Sequence, residues 1–288
     1  MTMFRMGPLA FFAVVSVLLC DRSAYACTQS LSVNIGVAEA TQCAYVFTVA
    51  QGDDGKCPTL REAMEQWLAD QPTPQHPGLV AHYAFEGDAT DSTANQRDGT
   101  TSGTVGFEAG QCGQAATFDG SSKVVVNAFR NFAWGSQFSV SLWFRRAGGP
   151  STYQGLVNTG YHREGSWEVR MGGEFGGQML GGGVVTADSS ATWDYVNLRA
   201  SVGEWHNVVM TYDGSALLFY LDNQLQAGTS DCCNGDIVSK NTPLTIGQAG
   251  VGMRSEYFVG NIDEVKIYDK VLSASDVDTL YLSPCAQV

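Results

Sequence analysis

The sequence predicts an all-β, two-layer antiparallel sandwich of the jelly-roll type, with a small α+β cap on its N-terminal side. Three observations carry the prediction. Gly makes up 33 of 288 residues, about 11% against a usual ~7%; so many glycines weaken helix interiors and supply turns. Hydrophobic residues account for 44% and charged residues for 16%, enough apolar material for a core and too little charge for a disordered chain. Short segments with period-2 alternation recur between Gly-rich turns, the pattern of a sandwich.

Residues 1–26 read as a signal peptide. Arg5 provides the positive n-region, Leu9 to Leu19 an apolar run, and Ala24-Tyr25-Ala26 a small-x-small cleavage site. The run is shorter than the ~20 apolar residues of a membrane span, so the processed chain is expected to be secreted or displayed at the cell surface and not integral to a membrane. Residues 27–70 are expected to form a Cys-containing cap. Ala44 to Val49 reads as a strand, and Thr59 with Glu62 forms a capping box for a helix running to Ala69, with Leu60, Met64, Trp67 and Leu68 on one face. Residues 71–77, with Pro72, Pro74 and Pro77, read as a linker.

The body, 78–288, proceeds as strand and turn. Leu79 to Phe85 is the first expected strand. Phe138 to Phe144 alternates, with Phe138, Val140, Leu142 and Phe144 on one face and Trp143 on the other. Trp205 to Tyr212 and Leu217 to Leu221 flank Asp213-Gly214, a hairpin signal. Leu244 to Ile246 and Val259 to Tyr268 follow, then a short helix from Ser273 to Leu280 with Ser273 as cap. Met171 to Val185 has seven Gly in fifteen residues without phosphate-loop spacing. It reads as strands crossing a tight bend, or as a loop.

The formal net charge of −13 excludes nucleic acid as a natural partner, because phosphate binding needs clustered Lys and Arg. No nucleophile elbow, zinc-spaced His pair or Glu-x-Asp-x-x-Glu run occurs, and His82 and His206 fall mid-strand, where a core or hydrogen-bonded role is expected. The chain therefore reads as non-catalytic; a sandwich hydrolase or lyase stands as a lesser alternative. Trp143, Trp167, Trp193 and Trp205 are candidate sugar-stacking platforms, with Trp193, in a loop-like stretch, the best exposed. Acidic residues gather after the first strand (Glu86, Asp88, Asp91) and within the last (Asp263, Glu264). They would meet if those strands are neighbours, as an oxygen-ligand set for calcium or as solvated turn carboxylates.

Eight cysteines, less Cys20 in the leader, leave Cys27, Cys43, Cys57, Cys112, Cys232, Cys233 and Cys285. An odd number in an exported chain predicts three disulfides and one cysteine left over for lipidation, a free thiol or an intermolecular bridge. Cys43 is expected to pair with Cys57 within the cap.

An ordered set of short motifs resembles a known family. It comprises Gly78-Leu-Val-Ala-His-Tyr-Ala-Phe-Glu-Gly-Asp88, Asp91-Ser92, Gly113-Gln-Ala-Ala-Thr-Phe-Asp-Gly120, Phe138-Ser-Val-Ser-Leu-Trp-Phe144, Trp205-His-Asn-Val-Val-Met-Thr-Tyr-Asp-Gly214, Leu218-Phe-Tyr-Leu-Asp222, Ile246-Gly247 and Phe258-Val-Gly-Asn-Ile-Asp-Glu-Val-Lys-Ile-Tyr268. Residues 78–283 look like the laminin-G-like, pentraxin-like class of concanavalin A-like jelly rolls. The resemblance implies a structural calcium with Glu86, Asp88 and Asp263 as ligands. It leaves the function open among glycan binding, protein binding and accessory roles. The leading expectation is a calcium-stabilised lectin for a carbohydrate, glycoprotein or other glycoconjugate. The second is an adhesion or structural protein that binds protein partners or self-assembles through its unpaired cysteine.

Overall fold

A computed structural model describes the chain at residues 12–14, 26–34, 42–50, 78–148, 153–160, 164–172, 179–187, 194–230, 233–250 and 256–285. The chain divides into two compact units, Met1–Pro74 and Gln75–Val288. In the first, β1 (Phe12–Val14), β2 (Ala26–Asn34) and β3 (Gln42–Ala50) form one antiparallel sheet in that order. β3 contains the strand expected from Ala44 to Val49. The expected helix up to Ala69, the linker and Cys57 lie outside the described residues.

The second unit contains β4 (Leu79–Tyr83), β5 (Thr100–Ser102), β6 (Gly106–Ala109), β7 (Gln114–Asp119), β8 (Lys123–Val126), β9 (Phe138–Arg146), β10 (Gln154–Asn158) and β11 (Trp167–Gly172). It continues with β12 (Met179–Val184), β13 (Asp194–Arg199), β14 (Trp205–Tyr212), β15 (Ala216–Leu221), β16 (Gln224–Ser230), β17 (Leu244–Ile246), β18 (Val259–Tyr268) and the helix α1 (Ala274–Leu282). The strands form two antiparallel sheets. One has seven strands in the order β13-β12-β11-β10-β17-β8-β5. The other has eight, in the order β16-β15-β14-β9-β18-β7-β6, with β4 also paired to β18. First and last strands are thus neighbours, in register Tyr83 to Val265 and His82 to Lys266.

The alternation in β9 decides its faces. Phe138, Val140, Leu142 and Phe144 are fully buried in the core, together with Trp167, Val169, Met171, Leu156 and Val157 from the seven-stranded sheet. Each such side chain contributes about 1.5–3 kcal/mol through burial. The hairpin at Asp213 is closed by its carboxylate, whose Oδ1 accepts from the Ser215 and Ala216 N–H groups at 2.9 and 2.7 Å; Gly214 takes a φ of +95° that L residues avoid. Of the Gly-rich stretch, Met171 and Gly172 end β11 and Met179 to Val184 form β12; residues 173–178 lie outside the described residues.

The eight-stranded sheet also has an outward face, and α1 covers one end of it. Val277 and Leu280 of the helix pack with Leu79, Val209, Tyr220, Tyr268 and Leu272. Ser273 caps α1 as expected: its hydroxyl accepts from the Asp276 N–H while Asp276 Oδ2 accepts from the Ser273 N–H. Tyr281 stacks on Trp143 with ring centroids 5.5 Å apart. Trp143 does face away from the core, but the helix occupies that side, so it is not an open platform. Beyond α1, Cys285 is disulfide-bonded to Cys112 in the β6–β7 turn. Cys233 is also disulfide-bonded.

Candidate functional site: the open end of the eight-stranded sheet

Past the edge of α1, the outward face of the same sheet stays open and bears a row of polar and aromatic side chains. The registers place Trp205 of β14 beside Arg145 of β9, Arg145 beside Asn261 of β18, Asn261 beside Thr117 of β7, and Thr117 beside Gly106 of β6. Five strands at ~4.8 Å spacing make a row roughly 19 Å long.

Its members hold one another in place. The Arg145 guanidinium lies 5.3 Å from the Trp205 ring centroid. Its Nε and Nη2 donate to Asn261 Oδ1 at 3.2 and 3.0 Å, and Nη2 also donates to Glu108 Oε1 at 3.0 Å. Asn261 Nδ2 donates to Glu108 Oε1 at 2.8 Å and to Thr117 Oγ1 at 2.9 Å. Arg145 and Glu108 remain open to solvent, at 33% and 53%, whereas Asn261 is buried between its neighbours. Arg145, Glu108, Asn261 and Thr117 line a cleft of about 340 Å³ that also touches Arg146 and Gly260; Trp205 lies outside its lining, against Arg145. Gly260 is required there: a Cβ would sit 2.1 Å from the Arg145 carbonyl oxygen, and its φ is +142°. Arg146 is 2% exposed, and desolvation lowers its pKa.

Gly203 borders the cleft on a loop that His206 holds. His206 Nε2 accepts the Ser201 main-chain N–H at 3.0 Å and lies 2.9 Å from Ser201 Oγ; Nδ1 lies 2.7 Å from Asp222 Oδ2. Ser201, His206 and Asp222 therefore stand in the order of a hydrolytic triad. The single Nε2 lone pair, however, is taken by the loop's own N–H, and Ser201 Oγ also bonds to Glu204. The imidazole is a clamp, in keeping with the hydrogen-bonded role expected of it, and the Gly203 N–H bonds the Arg146 carbonyl at 2.8 Å to fix the other side of the loop.

The three expected calcium ligands are placed as follows. Glu86 Oε2 accepts from the Gln114 N–H at 3.1 Å, and Asp263 Oδ2 from the Cys112 N–H at 2.9 Å. The two carboxylates thus flank one turn, Gly110 to Gln114, where a Cβ on Gly113 would lie 2.1 Å from Glu86 Oε1 and one on Gly110 2.6 Å from Asp263 Oδ2. Asp88 instead closes its own turn on Thr90, at 2.9 Å to the N–H and 2.6 Å to the hydroxyl; these bonds lower its pKa. Among the described residues no group of three or more His, Cys, Asp or Glu is gathered for a metal ion. Asp263 is fully buried, and desolvation pushes its carboxyl up to about 7 against the N–H bonds and with the nearby Glu264. Of the three expected ligands, Glu86 and Asp263 thus meet the same turn, and Asp88 does not join them.

Of the candidate tryptophans, Trp167 is wholly within the core and Trp193 lies outside the described residues. Trp205, at a strand start, is the one described tryptophan that is not buried. Sequence reasoning did not single out Arg145, Asn261, Thr117 or Glu108, which come from four separate segments. The alternation from Phe138, carried two residues further, does assign Arg145 to the outward face. Also unforeseen is a cluster on the seven-stranded sheet, where Arg170 Nη1 bonds Glu168 Oε1 at 3.1 Å and Nη2 bonds Glu256. Burial pushes Glu168 up to about 8, although Arg170 pulls the other way.

A family model described as the concanavalin A-like lectin/glucanases superfamily matches residues 118–278, more than half of the chain. No curated protein matches it. Domain 4 of an extracellular GH43 arabinanase from Geobacillus stearothermophilus, in complex with arabinotriose, is similar with a TM-score of 0.57 and 23% identity, over 71% of this chain and 98% of that one. The binding domain of Paraclostridial mosquitocidal protein 1 gives a TM-score of 0.60 and 18% identity over 72% of this chain. A structure of botulinum neurotoxin type C, whose cell entry depends on two ganglioside molecules, gives 0.53 and 13% over 72%. The chain spans only about half of the two toxin chains, 52% and 51%. At these identities the likeness to solved structures is one of fold. Fold, strand order and family model agree: the chain belongs to the concanavalin A-like lectin/glucanases superfamily.

Proposed function

We propose that this chain is a secreted, non-catalytic binding protein that recognises carbohydrate or a glycoconjugate through the open end of its eight-stranded sheet. The observation that carries this reading is the Trp205–Arg145–Asn261–Thr117 row with Glu108. An indole face suits the C–H face of a pyranose, and planar amide, guanidinium and carboxylate groups suit pairs of adjacent hydroxyls. Such a row, pre-held by its own hydrogen bonds, loses little side-chain entropy on binding. The arabinotriose complex of the arabinanase domain supports the same reading by analogy of fold. A binding role without catalysis is supported by the two arrangements that resemble catalytic ones. The His206 lone pair is spent on the loop, and Glu168 and Glu256 share one guanidinium instead of facing a substrate as a free acid and base.

Calcium enters this reading as a stabiliser. Glu86 and Asp263 are the residues that would hold it, and Asp88 would join only by leaving Thr90. The cation would supply the positive charge that the buried Asp263 lacks. The odd cysteine count favours one second reading, self-assembly as an adhesion protein.

The test is a broad glycan array with the purified protein, in calcium and again in EDTA. We expect one sugar class to bind, Trp205→Ala to weaken it at least tenfold, and EDTA to lower both binding and melting temperature. Silence from a folded protein would overturn the carbohydrate reading. An unchanged melting temperature in EDTA would overturn the calcium assignment alone.

A further inference from the structure

We infer that the cleft takes a 6-deoxyhexose unit, a sugar whose ring hydroxyls meet the polar row while its methyl group enters an apolar end built by Ala147 and Val259. The inference rests on the carbohydrate reading above and narrows it to a class of sugar. Its basis is the register of β9 and β18. Ala147 lies one position past β9, and its N–H donates to the Val259 carbonyl at 2.9 Å. The two residues thus face each other two positions beyond the Arg145–Asn261 pair. Strand alternation places both pairs on the outward face. Two residues of strand advance about 6.6 to 6.8 Å, within the reach of one pyranose unit. Both pairs line the cleft, and Gly203 borders its apolar end. Ala147 is exposed and Val259 half-buried, so a ligand can touch both side chains.

The apolar end has already spent its main-chain donors. The N–H groups of Ala147, Gly203 and Val259 donate to the Val259 carbonyl at 2.9 Å, the Arg146 carbonyl at 2.8 Å and Gln154 Oε1 at 3.0 Å. On the β7 side Val259 pairs with Asp119, which is outside the cleft lining. Asp119 turns Oδ1 into its own turn, where it accepts from the Ser121 N–H and from the Ser121 and Ser122 hydroxyls at 2.8 to 2.9 Å. A hydroxymethyl group placed at this end gives up water for donors that are already paired, whereas a methyl group gains burial without that loss. An acetamido group also brings a methyl, but its carbonyl needs one of those spent donors. The polar end is the reverse: Arg145, Asn261, Thr117 and Glu108 supply donors and acceptors for ring hydroxyls.

The test titrates the purified protein calorimetrically with the methyl glycosides of L-fucose and L-galactose, and of L-rhamnose and L-mannose. The members of each pair differ only at C6, a methyl against a hydroxymethyl. We expect one 6-deoxy sugar to bind about tenfold more tightly than its hydroxylated partner, the discrimination that a small apolar pocket supplies. Val259→Thr, which keeps the β-branched shape and adds a hydroxyl, is expected to bring the ratio within about twofold. Ala147→Ser is expected to lower the ratio as well, and it keeps the test open if the Val259 variant fails to fold. Trp205→Ala should weaken both members of the pair alike and leave their ratio unchanged. A ratio near one, tighter binding of the hydroxylated sugar, or a ratio that the folded Val259 and Ala147 variants leave unchanged would overturn the inference and leave the carbohydrate reading standing. If none of the four sugars gives measurable heat, the array decides. Hits confined to glycans bearing a 6-deoxyhexose support the inference, hits on glycans without one overturn it alone, and silence overturns both readings.

Discussion

The Asp91 carboxylate accepts four hydrogen bonds: from the main-chain N–H groups of His82, Thr93 and Arg97, and from the Thr93 hydroxyl, at 2.9 to 3.0 Å. In the sequence it looked like Asp88, a turn carboxylate a few residues earlier. The two differ in burial, 8% exposed for Asp91 against an exposed Asp88. Removing a buried acceptor strands its donors, whereas removing an exposed one hands them to water. Asp91→Ala is therefore expected to lower stability by about 3 kcal/mol and Asp88→Ala by about 0.5 kcal/mol or less. Denaturant midpoints of the two variants check this, and equal effects would contradict it. The same contrast explains why the candidate site was only partly legible. Trp205 could be listed as an aromatic, but its partners lie far apart along the chain, so nothing local marks Arg145, Asn261, Thr117 and Glu108 as neighbours.

At the scale of elements, β18 organises the site. It pairs with β4, β7 and β9, so one strand joins the acidic turn, the polar row and the helix-covered end. A register shift between Asp263 and Lys266 inserts an extra residue, with Glu264 at a φ of +51°. The bulge keeps Ile262, Val265 and Ile267 in the core cluster and leaves both Asp263 and Glu264 outside it. Glu264 then meets His82 Nε2 at 3.0 Å and Lys266 Nζ at 2.7 Å. Strand periodicity located β18 with the correct ends, but an irregularity of this kind has no code in the residues themselves. The Cys112–Cys285 bond is the second organising feature at this scale. It spans 173 positions, and restricting so long a loop in the unfolded chain stabilises the fold by about 3–5 kcal/mol. A Cys112→Ser, Cys285→Ser double variant is expected to lose stability of that order in a denaturant titration. A loss below 1 kcal/mol would show that the helix end is held by packing on Trp143 alone.

At the scale of the whole molecule, two sets of carboxylates give stability opposite pH dependences. Desolvation raises Glu168 to about 8 and Asp263 to about 7. The folded state binds those protons more tightly than the unfolded chain, so their contribution is complete below the ordinary carboxylate range and is lost as pH rises towards 8. Asp88, Asp119 and Asp213 are lowered by hydrogen bonds from Thr90, Ser121 and Ala216. Their contribution is present above the ordinary range and is lost as pH falls through it. The melting temperature should therefore be highest at mildly acidic pH and decline between about pH 5 and 8. Glu168→Gln, which keeps an acceptor for Arg170 and removes the titration, should flatten that decline and change nothing at pH 5. A decline as steep as in the unsubstituted protein would show that Glu168 does not set it.

By itself the sequence determined the all-β class, the strands whose apolar residues alternate and the cap of α1; that the first and last strands are neighbours was decided by the tertiary structure. The first three depend on period, turn chemistry and capping, all properties of residues close together in the chain. Short or polar strands such as β5, β6 and β13 escaped it, because three to six residues without alternation carry no periodic signal. Tertiary structure alone decided which outward face is covered and which is open. Trp143 and Trp205 are both outward-facing tryptophans on adjacent strands of one sheet, and the position at which α1 settles makes the first a packing surface and leaves the second part-exposed against Arg145. That choice depends on contacts between segments more than one hundred residues apart, between which local chemistry carries no information.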